Sequence, residues 1–166
     1  MFDPRLTLAL SHQRHEAMQR SVGVERFARR PKSDGAEAVT APAVPAVKSW
    51  TGLVGASRAV QIGSVIEVGG TAAVGGDGKV LYPGDPYRQT KEALRIVGDA
   101  LREFGSGLED VVRTRVYLKK AWQWEPIGRA HGDVFSGIRP ATTFIGAGAF
   151  VDPDMLVEIE ATALVH

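Results

Sequence analysis

The last segment of the chain, residues 155–165, alternates between two kinds of position. Every second side chain is apolar, at Val157, Ile159, Ala161, Ala163 and Val165. The positions between them are mixed, at Glu158, Glu160, Thr162 and Leu164. A period of two residues is that of a β-strand, because successive side chains point to opposite faces of the sheet. The segment therefore predicts a strand with one face buried under a covering layer and a mixed face left open.

Four other segments also predict strands. Residues 53–62 and 65–74 are apolar, partly alternating and separated by a Gly-Ser pair, which indicates a β-hairpin. Residues 111–118 and 141–150 predict two more strands. On residues 111–118 the core-facing set is expected to be Val112, Thr114, Val116 and Leu118.

Two helices separate these strands. Asp85 is a good N-cap, Pro86 suits the first helical position, and Gly105 is placed to end the helix. A second helix is predicted over residues 122–135, with Trp124 in its core-facing stripe. The element order ββαβαββ is that of an α+β domain, in which two helices cover only one face of the sheet.

The same alternation assigns a set of polar and aromatic residues to the uncovered face. The set comprises Glu67, Gly69, Thr71, Arg113, Arg115, Tyr117, Thr142 and Phe144. A mixed face of this kind is either washed by solvent or buried against identical copies, and its apolar members favour burial. Clefts between such copies are natural sites for small molecules.

The chain divides near Lys48 by composition. Residues 1–48 predict an extension, with a short polar helix over residues 5–30 and a Pro/Ala-rich linker over residues 31–48. Residues 49–166 predict the folded domain.

Composition and charge exclude several classes of site and partner. The absence of cysteine excludes disulfides and thiolate metal sites. The net charge of +1 argues against a general nucleic-acid binder. Neither a membrane span nor a signal peptide is indicated, so we expect a cytoplasmic protein.

Four stretches in this order resemble the Rid (reactive intermediate deaminase, or YjgF) family. They are residues 57–71, 84–101, 108–118 and 139–163, the last of which contains Pro-Ala and then LVEIEA. The resemblance covers about residues 50–166. It implies a chorismate-mutase-like α+β fold and a homotrimer with a central barrel and three small-molecule sites between subunits. It also implies hydrolysis of enamines and imines to ketones and ammonia, without a metal or an organic cofactor.

The resemblance also implies a set of site residues. Glu158 matches the catalytic glutamate of the last strand. Thr142 stands where active relatives have the arginine that binds the substrate carboxylate. Phe144 would help to hold the water through its backbone, Gly69 matches a serine, and Ala56 matches a tyrosine. Without the arginine we expect weak or absent activity on 2-imino acids, and a ligand that is uncharged or differently charged.

Several alternatives stay open from the sequence. Arg115 or Arg58 could replace the missing anchor. Glu158 is either catalytic or an interfacial ion-pair partner for an arginine, and Glu160 is expected to take the structural, ion-pairing role. His131 is either a buried core histidine or a catalytic base. The function classes are a Rid-type hydrolase, a non-catalytic metabolite-binding trimer and, last, a ribonuclease or translation inhibitor. The ribonuclease ranks last because residues 51–166 carry twelve basic and fourteen acidic side chains.

Overall fold

The computed structural model describes residues 54–165. The expected extension over residues 1–48, and its boundary, lie outside them. Residues 54–165 form five strands and two α-helices in the predicted order. Their bounds are β1 (Ala59–Ile62), β2 (Val65–Thr71), α1 (Pro86–Arg102), β3 (Val111–Leu118), α2 (Trp124–Phe135), β4 (Ala141–Gly146) and β5 (Val157–Leu164). The α+β prediction is confirmed.

The start and end of α1 follow from its capping residues. The Asp85 carboxylate accepts a hydrogen bond from the Arg88 amide at 2.9 Å, and Pro86 occupies the first turn. After the helix the chain turns at Gly105, whose φ of 71° is a left-handed conformation that favours glycine. The sequence prediction of both ends is confirmed to within a few residues.

The five strands form one sheet in the order β1-β2-β5-β3-β4. All neighbours are antiparallel except β3 and β4, which run parallel because α2 connects them. The α1 helix packs on β2 and β5 and against α2. The core between sheet and helices is apolar, with Ile66, Leu94, Leu101, Val116, Ile127, Val157 and Ile159 fully buried. The two faces predicted for β5 are confirmed.

Two register shifts correct the predicted faces of β2 and β3. Between Val68 and Thr71, β2 advances three residues while β5 advances two, so Thr71 is fully buried instead of lying on the open face. Between Val111 and Arg113, β3 advances two residues while β5 advances one. Val111 is therefore buried, and Val112 is 43% exposed instead of core-facing. Each extra residue exchanges the faces of the side chains on one side of it.

The prediction of Trp124 as a core residue is wrong, since 61% of it is exposed. Ile127 and His131, which lie further along α2, are buried. Trp124 is the first residue of α2 and directly follows a 3-10 turn over Ala121–Gln123, so it lies at the exposed end of the helix. Its ring instead approaches Gly128 on the helix surface, where an added Cβ would lie 3.9 Å away. Neither described helix is long and apolar enough to cross a membrane.

Candidate functional site

Glu158 and Arg58 meet on the open face of the sheet. Glu158 points there because its two neighbours along β5 are buried under the helices. Arg58 directly precedes β1, and its Nη1 donates to Thr71 Oγ1 at 3.2 Å and to Gly70 O at 3.5 Å. Both long side chains are half-buried. We call Arg58, Gly70 and Glu158 the open-face cluster.

Gly70 lets the Glu158 carboxylate approach the backbone of β2. A Cβ added at Gly70 would overlap Glu158 Oε1, whereas one added at Gly69 would make ordinary contacts with backbone oxygens at 3.6 and 3.7 Å. The register shift at this point exposes both glycines on β2. Glycine at position 70 is therefore a condition for the position of Glu158.

Burial sets the electrostatics of the open-face cluster. Burial raises the pKa of the Glu158 carboxyl, the charge of Glu160 raises it further, and Arg58 opposes both effects. Burial also lowers the pKa of the Arg58 guanidinium, against the opposing charge of Glu158. A carboxyl and a guanidinium that are both perturbed by burial and by each other are typical of functional sites.

Three other charged side chains of the open face, Arg115, Glu160 and Glu67, have partners on neighbouring strands. Arg115 Nη1 lies 3.3 Å from Glu160 Oε2, which confirms the predicted ion pair of Glu160 and leaves Arg115 less suited to anchor a ligand. The Glu67 carboxylate accepts a hydrogen bond from Thr162 Oγ1 at 2.8 Å. These contacts cross between neighbouring strands, as cross-strand pairs do.

Thr142 and Phe144 do not lie on the open face, which corrects the prediction for both. In the parallel register they sit opposite Thr114 and Val116, which are buried on the helix side. The Phe144 ring centroid lies 6.1 Å from that of His131 in α2. The alternation seen in β5 does not determine which side chains of β4 face the helices, because that depends on how β4 pairs with β3.

Two hydrogen bonds link Thr142 to His131 through Thr114 on the helix side, and a third joins Thr142 to the backbone. His131 Nε2 lies 3.0 Å from Thr114 Oγ1, which lies 2.9 Å from Thr142 Oγ1, and Thr142 donates to Pro140 O at 3.1 Å. Three bonds need three protons, so His131 must carry its proton on Nε2. Burial lowers the pKa of His131, which favours its neutral form. We call Thr114, His131 and Thr142 the inner cluster.

The remaining predicted site residues lie near the open-face cluster. The Gly69 amide donates to Arg58 O at 2.9 Å, and Ala56 is exposed two residues before Arg58. The structure thus brings Glu158, Gly69 and Arg58 together, with Ala56 on the same segment. It separates them from Thr142 and Phe144 by the thickness of the sheet.

Sequence reasoning missed Gly70 as part of the site and Thr114 as a bridge. A Gly-Gly pair inside an apolar strand is a signal for a bulge or a close backbone approach, and could have indicated Gly70. No local signal marks Thr114, because its two partners come from α2 and β4.

Two surface depressions lie on the helix layer, away from Glu158. One, of about 330 Å³, is lined by Tyr82, Arg88, Lys91, Glu92 and Arg95. The other, of about 630 Å³, is lined by Tyr87, Arg129, Gly132, Asp133 and Ser136. Within residues 54–165, no group of three His, Asp or Glu side chains is placed to hold a metal ion.

Comparison with known proteins identifies the family. Residues 52–165 match the sequence model of the family described as endoribonuclease L-PSP, to which YjgF and Rid proteins belong. The chain belongs to this family. It is 42% identical over 129 residues to an uncharacterized protein of Streptomyces coelicolor, a match that covers 75% of this chain and 95% of that protein. The resemblance inferred from the sequence is confirmed.

Solved structures agree on the fold. Rv2704 of Mycobacterium tuberculosis, a member of the YjgF/YER057c/UK114 family, is 40% identical with a TM-score of 0.64, over 71% of this chain and 93% of that chain. The YjgF gene product of E. coli is 23% identical with a TM-score of 0.62, over 78% of this chain and 96% of that chain. At 23% identity, the second likeness shows the fold alone.

Proposed function

We propose that this protein is a Rid-type small-molecule enzyme that hydrolyses an activated carbon–nitrogen bond, with Glu158 as its general acid and base. The observation that carries the proposal is the half-buried Glu158 carboxyl, which lies over Gly70 and beside Arg58 on the open face. Burial favours the protonated carboxyl, the form that gives a proton to an enamine carbon or an imine nitrogen. Family membership supports the reaction class and leaves the substrate open.

The proposed reaction uses one carboxyl in two successive roles. The protonated Glu158 donates to the enamine carbon, which produces an iminium ion and leaves Glu158 as a carboxylate. The carboxylate then accepts a proton from water as the water oxygen adds to the iminium carbon. Collapse of this adduct breaks the carbon–nitrogen bond and releases ammonia and a ketone. Substrate and water therefore account for every atom of the products.

We also propose that the site is completed by a second copy in a homotrimer. The open face carries half-buried charges, and the edge strands β1 and β4 expose Ile62 and Ile145. Contact with another copy would cover this surface. Thr142 and Phe144, which lie across the sheet from Glu158 in their own chain, could reach a Glu158 only in a neighbouring copy. We therefore propose that Thr142 and Phe144 bind substrate at the Glu158 of a neighbouring copy.

Ammonia release tests the proposed function. Freshly generated 2-aminoacrylate and an uncharged imine would each be incubated with wild type, Glu158→Gln and Glu160→Gln. We expect Glu158→Gln to lower turnover about 100- to 10,000-fold, the usual contribution of a general acid or base. Glu160→Gln is the matched control, since it removes a carboxylate from the same face of β5. Equal losses in both variants would assign the effect to the charge of the face and not to Glu158.

Two other function classes are outcomes of the same test. Binding of small molecules without ammonia release would favour a non-catalytic metabolite-binding protein. RNA cleavage, the activity that the family description names, would be measured with the same variants. A ribonuclease needs a continuous basic groove, and the twelve basic and fourteen acidic side chains of residues 51–166 give it no support.

A further inference from the structure

We propose that Arg58 is the anion anchor of this site, and that a carboxylate bound to it drives protonation of Glu158. The inference rests on the proposed function and adds the ligand group that the site selects. It replaces the expectation of an uncharged or differently charged ligand, which followed from Thr142 alone. In this proposal the anchor lies before β1, whereas Thr142 lies on β4 across the sheet.

The contacts of Arg58 leave its guanidinium able to bind an anion. Among residues 54–165, its Nη1 donates only to neutral oxygens, those of Thr71 and Gly70. Within the described part of the chain, no carboxylate oxygen lies within 4.0 Å of Arg58, and its Nε and Nη2 donate to no other residue. A half-buried guanidinium with free donors is suited to a planar, two-oxygen ligand such as a carboxylate.

The neighbouring arginines of the open face are poorer candidates. Arg115 is paired with Glu160, so a ligand would have to displace a carboxylate already in place. Arg113 lies opposite Thr162, four residues along β5 from Glu158, and is exposed to solvent. Arg58 alone among the three is half-buried and close enough for its charge to affect the pKa of Glu158.

Proton uptake follows from the charges around Glu158. The groups that face it are Arg58 before β1, Glu160 on its own strand, and Tyr117 and Arg115 on β3. Arg58 is the positive charge that favours the ionised Glu158, while Glu160 disfavours it. A bound carboxylate neutralises Arg58 and adds a second negative charge, so the pKa of Glu158 must rise. Binding therefore takes up a proton and prepares the acid that the reaction needs.

Calorimetric titration tests both parts of the inference without relying on turnover. The probes are pyruvate, a stable 2-oxo carboxylate, and pyruvamide, its neutral analogue. Each would be titrated near neutral pH in Bis-Tris and in Tris, cationic buffers with different enthalpies of ionisation. A binding enthalpy that changes with the buffer measures proton uptake. We expect uptake with pyruvate and wild type, and none with Glu158→Gln.

The arginine variants decide the anchor. We expect Arg58→Gln to weaken pyruvate binding about 10- to 100-fold, the usual effect of losing a charged hydrogen bond, and to leave pyruvamide binding unchanged. Arg58→Lys should retain part of the affinity for pyruvate. Its circular dichroism spectrum, compared with that of wild type, shows whether the variant is folded. Arg113→Gln is the matched control and should bind pyruvate like wild type.

Each contrary result has a separate meaning. Undetectable pyruvate binding by wild type, or equal affinity in wild type and Arg58→Gln, overturns the anchor. A pyruvate enthalpy that is independent of buffer overturns the coupling to Glu158. If Glu158→Gln nevertheless abolishes ammonia release, the proposed function stands while this inference fails. If pyruvate binding depends on Arg58 but no variant releases ammonia, the anchor stands while the proposed function fails.

Discussion

The open-face cluster and the inner cluster lie on opposite sides of the same sheet and differ in how their polar groups are satisfied. In the inner cluster, Thr114, His131 and Thr142 form a continuous chain of hydrogen bonds around neutral groups. In the open-face cluster, Arg58 and Glu158 are charged groups, half-buried and perturbed by burial, with no ion pair between them within 4.0 Å. Among residues 54–165, the groups of the inner cluster satisfy one another, whereas the two charges of the open-face cluster do not pair with each other.

From this difference we infer a structural role for the inner cluster, and it agrees with the functional role proposed for the open-face cluster. Buried polar groups that satisfy each other stabilise one arrangement of the core and have no capacity left for a ligand. Half-buried charges that lack a full set of partners cost stability and persist where a ligand can complete them. We therefore expect the two clusters to respond differently to substitution and in opposite directions to pH.

Among substitutions that keep both charged side chains of the open-face cluster, the largest expected effect is on turnover in Gly70→Ala. The added methyl group overlaps Glu158 Oε1, and the flexible carboxylate moves away at little cost to the fold. A displacement of about 1 Å can lower turnover about 100-fold. Ammonia release and thermal unfolding would be compared with Gly69→Ala, whose methyl group makes only ordinary contacts. A loss in Gly69→Ala as large as that in Gly70→Ala would argue against displacement of Glu158.

Substitutions in the inner cluster should lower the free energy of unfolding. Thr114→Val keeps the shape of the side chain but leaves His131 Nε2 and Thr142 without their partner. We expect a loss of about 1–3 kcal/mol in the free energy of unfolding, measured with urea. Thr142→Val, at a less buried position, should cost less. Equal losses of unfolding free energy in Thr114→Val and Thr142→Val would show that the burial of Thr114 does not set the size of the loss.

The pH dependence of stability should reveal His131. Its pKa is lowered in the folded chain by burial, so the unfolded chain binds the proton first as the pH falls. Stability should therefore decrease as the pH falls through the ordinary range of histidine. Melting temperatures of wild type and His131→Gln, measured across that range, check this prediction. Parallel curves for the two proteins would mean that His131 titrates normally.

The smallest expected effect has the opposite sign and belongs to Glu158. Because its pKa is raised in the folded chain, the ionised carboxyl destabilises the fold, and this cost disappears as the pH falls through the raised pKa towards the ordinary carboxyl range. We expect Glu158→Gln to melt slightly above wild type at alkaline pH and to match it in acid. A variant that melts below wild type at alkaline pH would show that Arg58 outweighs burial.

Much of the fold could be predicted because it depends on local patterns. The alternation of β5, the N-cap at Asp85 and the turn at Gly105 each lie within a short window, and each is confirmed. The placement of Glu158 on the open face follows from the same alternation. Errors arose where a local pattern was extended to a neighbouring strand or across an extra residue, as at Thr71 and Val112.

The sequence by itself determined the element order, the family and the open face of β5, because periodicity and capping are properties of neighbouring residues. Only the tertiary structure decided which face Thr142 occupies, because that depends on the parallel register between β3 and β4. It also decided which arginine accompanies Glu158, since the pairing of β1 with β2 brings Arg58 against Gly69 and Gly70. Contacts between distant segments are set by register and packing, which no local pattern specifies.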